Sequence, residues 1–447
     1  MRLALEQAVQ QLEAEASLPD IADPERLRRE LEIPLGAEGR TVEQVMAMVG
    51  RVIRSTPSAS SPRFLNQLFG GREPVATAAE MLAGLTNTSM YTYKVGGPQV
   101  LIEQEVLSRM AHLAGLDAGQ GTFLPGGSMS NLTAMLIARN EALGDVREHG
   151  LDGARLTVYT SDQSHYSIRK NAGILGIGRA NARIVPTDDE GRMRPDELER
   201  LITEDLAAGA RPIMVNATSG TTVLGAFDPL REVAAVARRH GLWLHVDACL
   251  GGSFLLCPEL RPLLDGSELA DSLAWNAHKM MGVGLQCSAL ILARGGLLAR
   301  HLNESADYLF QAHEDELNPG TRSLQCGRRN DALKLWAAWQ LLGDEGYAER
   351  VRRQRGLVRR AVALINADPD LDLVLQPACL NVCFEVRGAD ARDICTRLDE
   401  ERRLKIGYGE TKGRRFIRLV CVNPELDGSD LAMIFEEIHT VARALCR

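Results

Sequence analysis

Short apolar runs alternate with amphipathic stretches over most of the chain. "LTVYTS" (156–161), "ARIVPT" (182–187), "PIMVNAT" (212–218), "LWLHVD" (242–247) and "LQCSALIL" (285–292) have the length and residue types of strands. Between them, stretches such as "NLTAMLIARNEAL" (131–143) repeat apolar residues at helical spacing. This alternation predicts a mainly parallel sheet covered on both faces by helices. Ahead of it, "LALEQAVQQLEAEA" (3–16) and "TVEQVMAMVGRVIRS" (41–55) predict two amphipathic helices that cannot close a core alone. Beyond "NDALKLWAAWQLLG" (330–343) the pattern changes. A long Arg-rich helix, strands at "LVLQ" (373–376), "LNVCFEV" (380–386) and "RFIRLVCV" (415–422), and a closing helix over 429–445 predict a smaller α+β domain. The expected organisation is an N-terminal helical segment (1–60), a large domain (61–335) and a small C-terminal domain (336–447).

Composition narrows the function classes. The 447 residues are 45% hydrophobic and 25% charged, an ordinary globular balance. A formal charge of −8 spread along the chain argues against nucleic acid or an anionic membrane as partner. No apolar stretch reaches bilayer-spanning length, and the opening "MRLALEQAVQQLEAEA" carries acids unlike a signal peptide, so a cytoplasmic protein is expected. Nine cysteines, most of them in apolar runs, read as reduced core thiols. Cys379 and Cys383 form a CxxxC with no second pair at ligand spacing, so no metal site is expected.

In an open parallel sheet, ligands bind beyond the carboxyl ends of the strands. Gly126, Gly127 and Ser128 in "FLPGGSMSNLTAML" (123–136) open a helix, where free N–H groups suit a phosphate or serve only as a turn and cap. His165 follows the strand at 156–161, and Thr218 and Thr222 flank Gly220. Asp247 closes the strand "LWLHVD" among apolar neighbours and needs a cationic partner. Asn276 and Lys279 follow in "LAWNAHK" (273–279). A phosphate cradle, an imidazole, a carboxylate and a lysine on one sheet edge suit pyridoxal 5'-phosphate. Lysine supplies the Schiff base, Asp247 pairs with the ring nitrogen, and His165 stacks on the ring.

The runs "NAHKMMGVGLQCSALIL" (276–292), "HVDACLGG", "NATSGTTVLGAFDP", "SDQSHYS", "RFLNQLFGG", "NTSMYTYKV" and "SLQCGRRNDALKLW" keep unbroken order from about residue 60 onward. Together they resemble the group II pyridoxal-phosphate decarboxylases, in the branch of glutamate, cysteine sulfinate and aspartate decarboxylases. The resemblance implies the aspartate-aminotransferase-type (fold type I) α/β architecture, with a mainly parallel seven-stranded sheet. It also implies a homodimer with active sites at the interface. By the same likeness Lys279 is the Schiff-base lysine, Asp247 the pyridinium partner and His165 the stacking residue. The polar segment 303–323 matches the catalytic loop, with Tyr308 as the tyrosine that reprotonates the α-carbon. A tyrosine that merely pins the loop would also satisfy the pattern.

Gln67 and Arg418 match positions that bind the distal acid of the substrate, a job suited to arginine's planar fork. Arg418 could instead make a surface ion pair within "RRFIR". Ser89 and Tyr91 resemble cysteine sulfinate decarboxylases, and a tyrosine hydroxyl in the pocket favours a shorter acid. Aspartate or cysteine sulfinate is therefore expected ahead of glutamate. Two departures bear on the substrate: "YKVGGP" (93–98) puts Lys94 where the family has Glu, and Leu250 replaces an aromatic residue. Lys94 would accommodate a phosphonate- or sulfonate-bearing substrate. A diamino or aromatic substrate conflicts with Gln67 and Arg418, and a silent regulatory homologue conflicts with intact Lys279, Asp247, His165 and Tyr308.

Overall fold

The computed structural model describes residues 18–304 and 317–446. Its contacts group into two compact units. One holds residues 72–353 with 377–379, and the other holds the described residues up to 71, 354–376 and those from 380 onward. The helix Ala332–Ala367 passes from one unit to the other and is interrupted at Gly343, whose φ of 63° glycine adopts without steric cost.

The larger unit is built on β1 (Gln120–Leu124), β2 (Leu156–Ser161), β3 (Ala182–Val185), β4 (Arg211–Thr218), β5 (Trp243–Asp247), β6 (Ser272–Asn276) and β7 (Ser288–Leu292). They form one seven-stranded sheet in the order β1-β7-β6-β5-β4-β2-β3. β7 runs antiparallel to β1 and β6, while the remaining pairs are parallel. Central strands buried on both faces read as continuous apolar runs, and β2, β5, β6 and β7 are buried throughout. The helix Gly127–Leu143 packs Ala134, Ile137 and Ala138 against Val158, Met214 and Leu290 of this sheet. It thereby fixes the level at which its first turn meets the strand ends.

The smaller unit carries an antiparallel sheet of β8 (Leu371–Leu373), β9 (Asn381–Val386), β10 (Gly407–Thr411) and β11 (Arg414–Val420), in the order β10-β11-β9-β8. Its helix Gly428–Leu445 starts at an Asp427 capping box, and Phe435 packs on Phe384 at 5.6 Å between ring centres. The strand read at 373–376 lies instead at 371–373, where Leu371 pairs with Val386. β1 and β10 were not marked by the apolar pattern: both are edge strands, and "QGTFL" and "GYGET" carry little of the β-branched content of a buried strand. The helix expected at 41–55 is Val42–Arg54, opened by a Thr41–Gln44 capping box, while that at 3–16 lies outside the described residues. All nine cysteines are free, seven of them buried, including Cys379 and Cys383.

Candidate active site

The carboxyl ends of β2, β4, β5 and β6, with the start of the helix Gly127–Leu143, enclose a cavity of about 120 Å³. Around it stand Lys279, Asp247, His165, Thr222, Asn276 and Ser128, with Gly127 closing the wall. Seven residues named from the sequence for one cofactor therefore meet at one place. Each arrives by local geometry. Asp247 is the last residue of β5, Asn276 the last of β6, and the Lys279 N–H donates to the Asn276 carbonyl at 3.2 Å, closing a turn that turns the lysine off the strand end. Thr222 sits in a loop folded on itself: Thr221 Oγ1 accepts from the Ala226 N–H at 2.9 Å, and Asp228 accepts the Thr218 N–H at 2.7 Å.

Gly127 has a specific steric reason. A Cβ there would lie 2.5 Å from Cys249 Sγ and 2.9 Å from Asn276 Nδ2, so only glycine lets the helix start approach β5 and β6 this closely. Within that first turn the Met129 and Ser130 N–H groups donate to the Gly126 carbonyl, at 2.9 and 3.2 Å, which leaves those of Gly127 and Ser128 for a ligand. Ser288 Oγ donates to Asn276 Oδ1 at 2.6 Å and lies 2.8 Å from Ser130 Oγ, which ties β6, β7 and the helix together beneath the cavity.

Asp247 is fully enclosed. Asn131 Nδ2 donates to its Oδ2 at 2.8 Å, and the Cys249 N–H donates to its Oδ1 at 3.1 Å. Burial pushes its carboxyl up, but the charge of Lys279, with the two nearby imidazole rings and the Asn131 donor, outweighs burial and holds it below the ordinary value. Burial lowers His165 against the pull of Asp247, so the imidazole is neutral. Burial and Asp247 push the Cys249 thiol well up, which keeps it protonated and unreactive. A lysine amine, an ionised carboxylate, a neutral imidazole and a helix start are the donor set that an aromatic aldehyde bearing a phosphate and a ring nitrogen requires.

A scan of family models matches residues 24–387 to the pyridoxal-dependent decarboxylase conserved domain. The chain belongs to this family. It is an amino acid decarboxylase, a carboxy-lyase, and its cofactor is pyridoxal phosphate. Mouse cysteine sulfinic acid decarboxylase is 42% identical over 95% of this chain and 90% of its own length. Mouse acidic amino acid decarboxylase GADL1 is 39% identical over 94% of this chain and 80% of its own. The crystal structure of mouse CSAD in apo form superposes with a TM-score of 0.93 at 38% identity, covering 99% of both chains.

Thr218 and Gly220 also line the cavity, while the other sequence-named residues are not among its lining or fall outside the described residues. Ser89 and Tyr91 sit on the segment 317–328: the Gly320 N–H donates to the Tyr91 carbonyl at 2.7 Å, and Ser89 Oγ donates to the Cys326 carbonyl at 3.4 Å. A Cβ on Gly320 would be 2.6 Å from the Tyr91 ring, so that contact also depends on glycine. Lys94 is exposed, and Leu250 is buried against Gly220. Gln67 and Arg418 belong to the smaller unit, where Arg418 donates to the Asn66 carbonyl at 2.6 Å beside Gln67. Tyr308 lies outside the described residues. Sequence reasoning passed over Asn131, Ser167 and His245. The one available signal was the i, i+2 spacing of His245 and Asp247, which puts both on one face of β5.

Proposed function

We propose that this decarboxylase removes the α-carboxylate of a small acidic L-amino acid, aspartate or cysteine sulfinate ahead of glutamate. The observation that carries the reading is the convergence of Lys279, Asp247 and His165 on one cavity wall. The cysteine sulfinic acid and acidic amino acid decarboxylases among its relatives support the substrate class. When bound, the cofactor supplies an electron sink for the pair released as CO₂ leaves.

The chain's own residues do the rest. Lys279 brings the amine for the aldehyde carbon, Asp247 binds the ring N–H, and His165 covers the ring face. The Gly127–Ser128 helix start holds the phosphate, with Thr222 and Asn276 as further polar contacts. Gln67 and Arg418 take the distal acid, Ser89 and Tyr91 set the length accepted, and Tyr308 returns a proton to the α-carbon. The protein acts in the cytoplasm as a homodimer. Seven buried free thiols accord with a reducing compartment. Among the described residues, no helix is long and apolar enough to cross a membrane. Val42, Val45, Val49 and Val52 form an exposed apolar stripe along the helix Val42–Arg54, and Met81, Leu82 and Leu85 form another on Pro74–Thr86. Faces of this kind accord with burial against a second copy.

The test is a panel of acidic, aromatic and diamino acids incubated with purified protein, with CO₂ and amine both measured. Cysteine sulfinate or aspartate should turn over fastest. Turnover confined to aromatic or diamino acids overturns the substrate class, and no CO₂ from any amino acid overturns the reading altogether.

A further inference from the structure

Five buried side chains run in hydrogen-bonded succession along β5 toward the cavity: Trp243, Ser272, His245, Asn131 and Asp247. The two ends fix the direction of every bond between them. An indole N–H can only donate, and Trp243 Nε1 donates to Ser272 Oγ at 2.8 Å. A carboxylate can only accept, and Asp247 Oδ2 accepts from Asn131 Nδ2 at 2.8 Å. The same Asn131 nitrogen donates to Ser167 Oγ at 3.0 Å, so both of its protons are committed. Rotating the amide would aim its oxygen at a carboxylate, which excludes the alternative orientation. Asn131 Oδ1, 3.0 Å from His245 Nε2, is therefore an acceptor, and His245 carries its proton on Nε2. Burial keeps that imidazole neutral, its pKa pulled down to about 4 although Asp247 pulls the other way. Its Nδ1, 2.8 Å from Ser272 Oγ, is then left to accept the serine hydroxyl proton. Every donor in the chain points toward Asp247.

A branch leaves at Asn131. Ser167 Oγ accepts from Asn131, and its hydroxyl faces His165 Nδ1 at 2.8 Å. The Ser167 backbone N–H donates to that same nitrogen at 3.2 Å, so the His165 proton is on Nε2. We infer that Asn131 and His245 are positioning residues: a one-way chain anchored at Trp243 orients Asp247 and, through Ser167, sets the tautomer of His165. Because no member turns without breaking its neighbour's bond, the carboxylate is aimed before any ligand arrives, which is preorganisation in the electrostatic sense. The inference rests on the reading of Asp247 as the ring-nitrogen partner.

Its test begins on cofactor-free protein carrying ¹⁵N-labelled histidine. The imidazole signal that disappears in His245→Gln should be that of a neutral ring protonated at Nε2 at pH 7. A ring protonated at Nδ1, or a charged one, overturns the chain whatever the enzyme's activity. The second measurement is cofactor affinity. His245→Leu should weaken it roughly tenfold, the size of a one-unit change in Asp247's proton affinity, while His245→Gln stays near wild type. Glutamine can accept from Ser272 and donate to Asn131, whereas leucine only fills space. Equal affinities for Gln and Leu variants overturn the positioning role. Where the leucine variant gives no soluble protein, Ser272→Ala replaces it: a severalfold loss of cofactor affinity supports the chain, and an unchanged affinity overturns it.

Discussion

The two edges of the seven-stranded sheet make opposite use of polar side chains. At the amino edge, a cavity of about 540 Å³ is lined by Arg211, His240, Trp243, Asp271 and Arg294. At the carboxyl edge, the space beside Lys279 is about 120 Å³. The roomier cavity has its charges tied outward: Glu141 pairs with the exposed Arg294 at 3.5 Å and the exposed Arg300 at 3.1 Å, and Glu199 with His240 at 2.6 Å, both of these half-buried. In the smaller one, a carboxylate and a neutral imidazole line the wall with a second neutral imidazole, His245, buried behind them, and each is held by partners that cannot move independently. The difference teaches that fixed, desolvated dipoles mark the chemistry here, and that volume does not.

The comparison breaks first at Lys279. Lys279→Ala should abolish the absorption of covalently held cofactor and lower turnover by at least about a thousandfold, as removal of a covalent anchor does. CO₂ release and the visible spectrum check it, and a variant retaining a tenth of wild-type activity would move the chemistry elsewhere.

Acid should next expose the buried imidazole beneath the carboxyl edge. His245 has its pKa depressed from 6.5 to about 4, so the unfolded chain takes up a proton that the folded protein refuses. Its contribution is fully present above pH 6.5 and is lost as pH falls toward 4, about 3 kcal/mol over the window. Urea unfolding of wild type and His245→Gln at a series of pH values isolates it, because His278, pulled down to about 4 as well, is common to both proteins.

Asp247→Asn should cost about a hundredfold in turnover, since the amide keeps the shape and loses the charge that Lys279 and the Asn131 donor support. Stopped-flow single turnovers separate that loss from weakened binding. The smallest effect is set for the other edge. Arg294→Ala should change turnover less than about twofold and stability by no more than about 0.5 kcal/mol, as expected of an exposed ion pair. A large loss of activity there would erase the contrast between the two edges.

Much of the carboxyl edge was legible in the chain because it is written at strand ends. Asp247, Asn276 and Lys279 each follow an apolar run by zero to a few residues, and a parallel sheet brings such positions together whatever the detailed register. The support beneath them was not legible. Asn131 lies 116 residues from Asp247 in sequence, inside a helix where asparagine reads as a surface residue. His245 lies in a strand buried on both faces, whose apolar pattern has no period to single out a polar member. The strands β1 and β10 escaped for the opposite reason: as edges they have polar, glycine-containing sequences that resemble loops.

The seven buried thiols also make the chain its own unfolding clock. Thiol reagents attack the thiolate, and burial pushes Cys383, Cys395 and Cys421 up to about 12, so in the native fold only Cys326 and Cys446 are open to rapid labelling. Each further thiol reports when its own surroundings open: Cys249, Cys257, Cys287 and Cys379 in the unit that carries the cavity, Cys383, Cys395 and Cys421 in the other. Labelling followed by mass spectrometry would thus time the opening of the two units separately in one sample, without any introduced probe.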